Sequence, residues 1–261
     1  MILDEIVKKR KEQLQREKQR YSLDEMKLAA QEHLRDRTPL SLAHALKNNR
    51  LSCICEVKKA SPSKGLIRAD FHPADIAAEY EAAGADAISC LTEEHYFQGS
   101  SEYLTQIRAK VKLPILRKDF IFDEYQIFEA AAIGADAVLL IAAILDDEAY
   151  GELFRLASEL GLSVLNEVHS VAEMQRITKF YPEIIGVNNR DLTTFDVDLS
   201  TAGRLRPYAD KEAVFVSESG IRNNDDMKMV RSAGADAVLI GETLMRSDDI
   251  AGELIKLRED V

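Results

Sequence analysis

Glu56, Lys58, Lys118, Glu167, Asn188 and Arg190 each stand at, or just past, the end of a short apolar run. Their types suit one kind of chemistry. An ammonium can hand a proton to an oxygen on which negative charge develops. A carboxylate can take a proton or hold a cation, and an amide can orient both. A single polar residue at such a place is ordinary, and lysines interleaved with carboxylates also build structural ion networks. The number of positions decides. Buried charges that lack partners cost several kcal/mol, so a set this large converging on one place points to a site.

The last two run ends carry a different signal. Ser217-Glu218-Ser219-Gly220 ends in a turn whose backbone N–H groups are unobstructed by a side chain, and Gly241-Glu242 opens the final helical stretch. Free N–H groups at such places suit an anion. A carboxylate at 242 repels a phosphate unless it points away, which leaves the Gly241 backbone as the expected ligand. Taken alone, these residues support an enzyme that treats a small phosphorylated metabolite by acid–base chemistry.

The elements that must position these residues repeat. Eight apolar runs follow residue 50: Ser52–Val57, Ala85–Leu91, Leu113–Leu116, Ala135–Ile141, Ser163–Asn166, Ile184–Val187, Ala213–Val216 and Ala235–Ile240. Several are apolar throughout, as strands buried on both faces require. Amphipathic stretches separate them. Pro73 suits a first helical position, Asp123, Asp146 and Ser170 suit N-caps, and Gly84, Gly134, Gly161 and Gly234 suit helix stops. Ile76, Ala77, Tyr80 and Ala83 fall on one helical face. Gly-Ala-Asp-Ala recurs at 84–87, 134–137 and 234–237, each time between a helix end and a strand start.

Eight βα units predict an α/β fold of the (β/α)8 TIM-barrel class, whose active site lies at the C-terminal strand ends and whose last two loops are the usual phosphate site. A doubly wound sheet is the rival, but its Gly-rich fingerprint is missing after the first strand. The expected organisation is one domain over 1–261. Residues 1–50 form a helical N-terminal extension, with an apolar stripe of Ile2, Leu3, Ile6 and Val7 at its start and helices from Ser22 to about Arg35 and near Ser41–Lys47, expected to pack across one end of the barrel and to contribute to the substrate pocket. Residues 51–261 form the barrel itself.

Composition narrows the class. Of 261 residues 46% are hydrophobic, and the formal charge is −11, which argues against nucleic acid or an anionic membrane surface as partner. No apolar run approaches the roughly 20 residues of a membrane helix. The charged N-terminus lacks a secretory apolar core, so the cytoplasm is the expected address. Cys53, Cys55 and Cys90 read as reduced packing residues, and the five histidines show no metal-ligand spacing. No metal or organic cofactor is expected. The sequence is compatible with a monomer and does not fix the oligomeric state.

The same residues carry a family resemblance along the whole chain. The segment Cys55-Glu56-Val57-Lys58-Lys59-Ala60-Ser61-Pro62-Ser63-Lys64-Gly65 resembles a signature of indole-3-glycerol phosphate synthases. So do Leu91-Thr92-Glu93 with Tyr96-Phe97-Gln98-Gly99-Ser100, Leu116-Arg117-Lys118-Asp119-Phe120-Ile121, Gly186-Val187-Asn188-Asn189-Arg190-Asp191-Leu192 and Ser217-Glu218-Ser219-Gly220-Ile221. The resemblance is to the monofunctional form. It implies a lyase of tryptophan biosynthesis that converts 1-(2-carboxyphenylamino)-1-deoxyribulose 5-phosphate to indole-3-glycerol phosphate, carbon dioxide and water.

The resemblance also implies roles. Lys118 would be the general acid at the carbonyl oxygen, and Glu167 the carboxylate that holds the cationic anilino nitrogen or takes a proton. Lys58 would lie near the substrate carboxylate and the leaving hydroxyl. Glu56 and Asn188 would orient hydroxyls and lysines, and Arg190 would support the charge network or the carboxylate. Ser61, Ser219, Gly220 and Gly241 would hold phosphate. Phe97, Phe120 and Leu139 would sandwich the anthranilate ring, with Glu218 and Ile240 among the substrate contacts. Which lysine donates each proton is not assigned by sequence. The enzymatic rival is another phosphate-binding barrel, an isomerase or a Schiff-base aldolase. The non-enzymatic rival is a barrel that binds a phosphorylated ligand without turnover.

Overall fold

The computed structural model describes residues 2–191 and 194–261. Leu192, the last residue of the Gly186–Leu192 motif, lies outside the described residues.

The barrel strands are β1 (Ser52–Val57), β2 (Ala87–Leu91), β3 (Ile115–Lys118), β4 (Ala137–Ile141), β5 (Ser163–Val168), β6 (Ile184–Asn188), β7 (Val214–Glu218) and β8 (Ala237–Ile240). Each pairs in parallel with the next, and β8 closes on β1, giving the expected closed (β/α)8 barrel. A small hairpin, Ala60–Ser61 with Gly65–Leu66, decorates the loop after β1.

Alternation along each strand divides the side chains. Ile54, Ala87, Leu116, Leu139, Leu165, Ile184, Val214, Val216 and Leu239 share the cluster inside the barrel. Cys53, Cys55, Ile88, Leu140, Ile185 and Phe215 belong to the cluster beneath the helices. All three cysteines are buried and free.

Helix punctuation follows the sequence. Pro73 occupies the first turn of α4 (Pro73–Ala82), and Asp123, Asp146 and Ser170 cap α6 (Glu124–Ala132), α7 (Asp147–Glu159) and α8 (Val171–Ile177) with side-chain bonds to backbone N–H groups. The stop glycines Gly84, Gly134, Gly161 and Gly234 all take positive φ, which explains their residue type.

The repeated aspartate has a role that spacing alone did not disclose. Asp86, Asp136 and Asp236 each accept a backbone hydrogen bond of 2.8 Å from the neighbouring strand region, from the N–H of Cys53, Ile115 and Phe215 respectively. Each aspartate N–H in turn donates to that same residue's carbonyl. The motif therefore stitches β1 to β2, β3 to β4 and β7 to β8 at the end of the barrel opposite the polar strand ends.

The N-terminal extension packs across one end, as expected from sequence, only through residues 42–46, and it borders the cavity at the other end through its first turns. It spans the barrel's length. Ile2, Leu3 and Ile6 of α1 (Ile2–Arg20) border the cavity at the C-terminal mouth. Helix α2 (Leu23–Asp36), held at its start by a capping box between Ser22 and Glu25, lies along α6. Leu42, Ala43 and Leu46 of α3 (Leu42–Leu46) plug the opposite end against Ile54, Ala87 and Ala137. The physical reason is length. A helix of 19 residues followed by one of 14 reaches past a barrel of short strands. No helix among the described residues is long and apolar enough to cross a membrane.

Candidate active site

Strand parity places the polar set. Glu56 stands two residues beyond Ile54, Lys118 beyond Leu116, Glu167 beyond Leu165 and Glu218 beyond Val216, and each of these apolar residues faces the barrel axis. The side-chain period of a strand is two, so all four polar groups face the axis one layer higher. Sequence runs ended β3, β5, β6 and β7 too early. Lys118, Glu167, Asn188 and Glu218 are strand residues rather than loop residues, because the barrel ladder holds them as firmly as the apolar layer beneath.

The residues line a cavity of about 890 Å³. At its floor Lys118 Nζ lies 3.4 Å from Glu167 Oε2 and 3.3 Å from Glu218 Oε2. Asn188 Nδ2 donates to Glu167 Oε1 at 3.2 Å. Across the floor, Lys58 Nζ pairs with Glu56 Oε1 at 2.6 Å. Two lysines and three carboxylates thus occupy one low-dielectric mouth.

Their charges are set by one another. Burial works against the Lys118 ammonium, but Glu218, Glu167 and Glu56 outweigh it and hold the group above the ordinary lysine range. Burial also opposes the Glu167 carboxylate, yet Lys118, His169 and Asn188 draw its pKa down to about 2. Glu218 goes the other way. Burial, then the nearby Glu167 and Glu56, outweigh Lys118 and push it up to about 7. Neither Glu218 oxygen accepts a well-formed hydrogen bond, although Lys118 is near. The pair Glu167 and Glu218 therefore has one firmly ionised member and one that titrates near neutrality.

Glycines make room for this crowding. A Cβ on Gly186 of β6 would overlap Glu218 Oε1, and one on Gly241 would overlap Glu56 Oε1 and lie 3.1 Å from Lys58 Nζ. Glycine within a strand signals close approach, so Gly186 was legible in principle. Its partner was not.

The expected phosphate residues gather on one side. Ser219 and Gly220 both have positive φ, 68° and 93°. Asn189 Nδ2 anchors the turn by donating to the Ser219 carbonyl at 3.1 Å. Ser61, Lys64, Gly241 and Glu242 border the same part of the cavity. Glu242 is not a bare charge there. Arg246 Nε lies 3.1 Å from it, with Lys64 at 3.8 Å and Arg190 at 3.9 Å. Arg190 also donates to the Phe195 carbonyl at 3.0 Å, and its backbone N–H bonds Asn188 Oδ1 at 3.0 Å, so its guanidinium stands toward this side rather than over Lys118.

The apolar side is formed by Phe97, Phe120, Leu139 and Ile240, joined by Leu91 and Ile141. The Phe97 and Phe120 ring centroids are 6.0 Å apart at 41°. Glu93, part of the Thr92–Phe97 stretch, does not face the cavity. It accepts the N–H groups of His95, Tyr96 and Phe97 at 2.9, 2.7 and 3.0 Å and so shapes the loop that presents Phe97.

The structure adds residues that sequence reasoning passed over. His169 lies beside Glu167. Ile2, Leu3 and Ile6 of α1, by contrast, were read in sequence as an apolar stripe of the extension, and they border the mouth. Arg10 of α1, fully buried, pairs with Asp119 at 2.9 Å and Glu17 at 2.9 Å. Asp119 also binds Arg117 at 3.1 Å, and Arg117 binds Glu129 at 2.6 Å. This network fastens α1 next to Lys118. No group of three or more potential metal ligands occurs among the described residues.

The chain is similar to known proteins along most of its length. A family model described as indole-3-glycerol phosphate synthase matches residues 3–257. A protein of Ruminiclostridium cellulolyticum with that name is 49% identical over 258 residues, 99% of each chain. A Geobacillus protein of the same name is 53% identical over 224 residues, covering 85% of this chain and 87% of its own. Among solved structures, a 3-hexulose-6-phosphate synthase superposes with a TM-score of 0.62 at 15% identity, covering 80% of this chain and 99% of its own. A thiamine phosphate pyrophosphorylase from Pyrococcus furiosus gives 0.61 at 18%, covering 84% and 96%. These two share the barrel.

Proposed function

The chain belongs to the indole-3-glycerol phosphate synthase family, and on that premise we propose how the residues of its mouth divide the reaction. The activity is a decarboxylating lyase step of tryptophan biosynthesis that forms indole-3-glycerol phosphate. We read the chain as one domain, 1–261, and the protein as a cytoplasmic monomer that works without metal or organic cofactor. Its substrate is 1-(2-carboxyphenylamino)-1-deoxyribulose 5-phosphate, and neither nucleic acid nor membrane is a partner.

The phosphate lies against Ser61, the Ser219-Gly220 turn and the Gly241 backbone, with Lys64, Arg190 and Arg246 supplying positive charge. The anthranilate ring lies among Phe97, Phe120, Leu139 and Ile240. The two anchors stretch the substrate across the charged floor.

The ring carbon that bears the carboxylate attacks the ribulose carbonyl carbon. The carbonyl electron pair moves to oxygen, which takes a proton from Lys118, while the anilino nitrogen becomes cationic next to Glu167. Loss of carbon dioxide returns an electron pair to the ring. Departure of the new hydroxyl as water, with loss of a carbon-bound proton, completes the indole. Lys58 lies at the substrate carboxylate and the leaving hydroxyl, with Glu56, Asn188 and Glu218 orienting donors and hydroxyls. An ammonium held above the usual lysine range is a weak acid at rest. Its proton becomes transferable when an alkoxide develops within reach, so its contribution falls in the transition state.

The observation that carries this reading is the placement of Lys118 between Glu167 and Glu218 on the floor of a cavity with an apolar side and a phosphate side. Incubation of the purified protein with the carboxyphenylamino substrate tests it, with rising indole fluorescence as the expected result. Binding without fluorescence supports the non-catalytic rival. A protein–substrate adduct trapped by borohydride on Lys118 supports the Schiff-base rival.

A further inference from the structure

His169 follows β5 and is absent from the roles above. Its ring is mostly buried. Nε2 lies 3.3 Å from Glu167 Oε1, at ion-pair distance though not aligned as a hydrogen bond, and Nδ1 lies 3.4 Å from Glu173 Oε2 on α8. The backbone fixes this placement a second time, because the His169 N–H donates to Glu173 Oε2 at 2.8 Å. Glu173 is held in turn by the Ser170 cap, whose side chain accepts its N–H at 3.2 Å. A chain of contacts therefore runs from the start of α8 through His169 to the carboxylate at the cavity floor.

The two Glu167 oxygens have separate surroundings. Oε1 meets His169 and Asn188, and Oε2 meets Lys118. A carboxylate with one oxygen tied to the wall cannot rotate away from the lysine without losing those partners. We propose that His169 is a positioning residue for the reaction: clamped between Glu167 and Glu173, it holds Glu167 Oε1 to the wall and so keeps Oε2 toward Lys118 and the substrate nitrogen. The proposal rests on the reading of Glu167 given above.

An imidazole between two carboxylates is cationic. Burial works against that charge, but Glu167 and Glu173 overcome it and raise His169 to about 10. His169 thus supplies a fixed positive charge, not a proton relay. Other charged groups stand nearby. Lys118 and Glu218 share the floor with Glu167. His169 also borders a second cavity of about 1080 Å³, lined by Asp4, Lys8 and Lys11 of α1 and by Arg190, Asp191 and Asp196 after β6. Asp198 and Arg204 complete the charged lining.

His169→Gln keeps a donor near Glu167 and removes the charge. Glu173→Gln leaves His169 in place and removes its outer anchor, and it serves if the first variant folds poorly. In His169→Gln, kcat should fall about 10- to 100-fold, as loss of a charge-assisted contact implies, with KM changed far less. The acidic limb of the kcat profile should move to higher pH, because the Glu167 and Glu218 pair loses a cation that favours its ionised state. Glu173→Gln should shift the limb in the same direction by less. Carbon-13 NMR of labelled histidine, assigned by difference against His169→Gln, should show an imidazolium at neutral pH.

A neutral His169 at pH 7, or wild-type kcat and pH limb in both folded variants, overturns the proposal. So does a lower melting temperature with unchanged turnover, which marks a structural contact only. Glu167→Gln separates the two levels. If it turns over normally, the role of Glu167 fails and the proposal with it. If it loses turnover while His169→Gln keeps the wild-type profile, only the positioning role fails.

Discussion

Gly186 on β6 leaves the space that the Glu218 carboxylate of β7 occupies: a Cβ at 186 would overlap Glu218 Oε1 and come within 3.1 Å of Leu165 Cδ1. The missing side chain on one strand is what lets a buried carboxylate on the next lean over the barrel axis to within 3.3 Å of Lys118. Gly186→Ala should therefore displace Glu218 while leaving the strand intact. A displacement of about 1 Å in such a site can lower turnover by up to about 100-fold. Steady-state kinetics with circular dichroism check this, and near-wild-type kcat/KM in a folded variant would show that the Glu218 position is not needed.

Lys118→Ala should lower kcat by about 100- to 10,000-fold with a smaller effect on substrate affinity, since its proton moves in the transition state. Single-turnover fluorescence and equilibrium binding separate the two effects. A kcat within a few-fold of wild type removes Lys118 from the acid role and leaves Lys58 as the donor.

Glu218 gives a pH prediction whose sign is fixed. Its folded pKa is raised from 4.5 to about 7 by burial and by Glu167 and Glu56. The folded state thus favours its neutral form. The stability this contributes is fully present below the unfolded value and is lost as pH rises through about 7. The ligand-free melting temperature should decline across that window, and Glu218→Gln should decline less. Parallel curves for the two proteins would assign the titration to another group.

Arg10→Ala tests the fastening of α1. Arg10 is fully buried and bonds both Asp119 oxygens, at 2.9 and 3.1 Å. Its removal leaves Asp119 with Arg117 as its remaining cation and Glu17 with only the neutral Gln13 amide, a change of about 3 kcal/mol when a buried pair is broken. Denaturant titration should show this loss of stability. Unchanged stability would mean that α1 is held by its apolar contacts and not by the network.

Much of the site was legible before folding was considered. Polar residues at run ends, helix-stop glycines and the repeated Gly-Ala-Asp-Ala all follow local rules: backbone conformation selects glycine, and strand ends carry side chains that the apolar layer cannot use. Periodicity determined the barrel class, because eight alternating units with doubly buried strands have few other ways to hide their apolar faces. The extension was legible as three helical segments, but not in its path.

Tertiary structure decided what depends on partners distant in sequence. Nothing local to Gly186 names Glu218, nothing near Arg10 names Asp119, and His169 is an unremarkable polar residue until β5 and α8 bring Glu167 and Glu173 to its two nitrogens. The same holds for charge. Glu167 and Glu218 are alike as residues, yet one is drawn down to about 2 and the other raised to about 7. Only burial and the placement of Lys118, His169 and Asn188 distinguish them, because electrostatic interaction in a low-dielectric mouth follows distance in space rather than order along the chain.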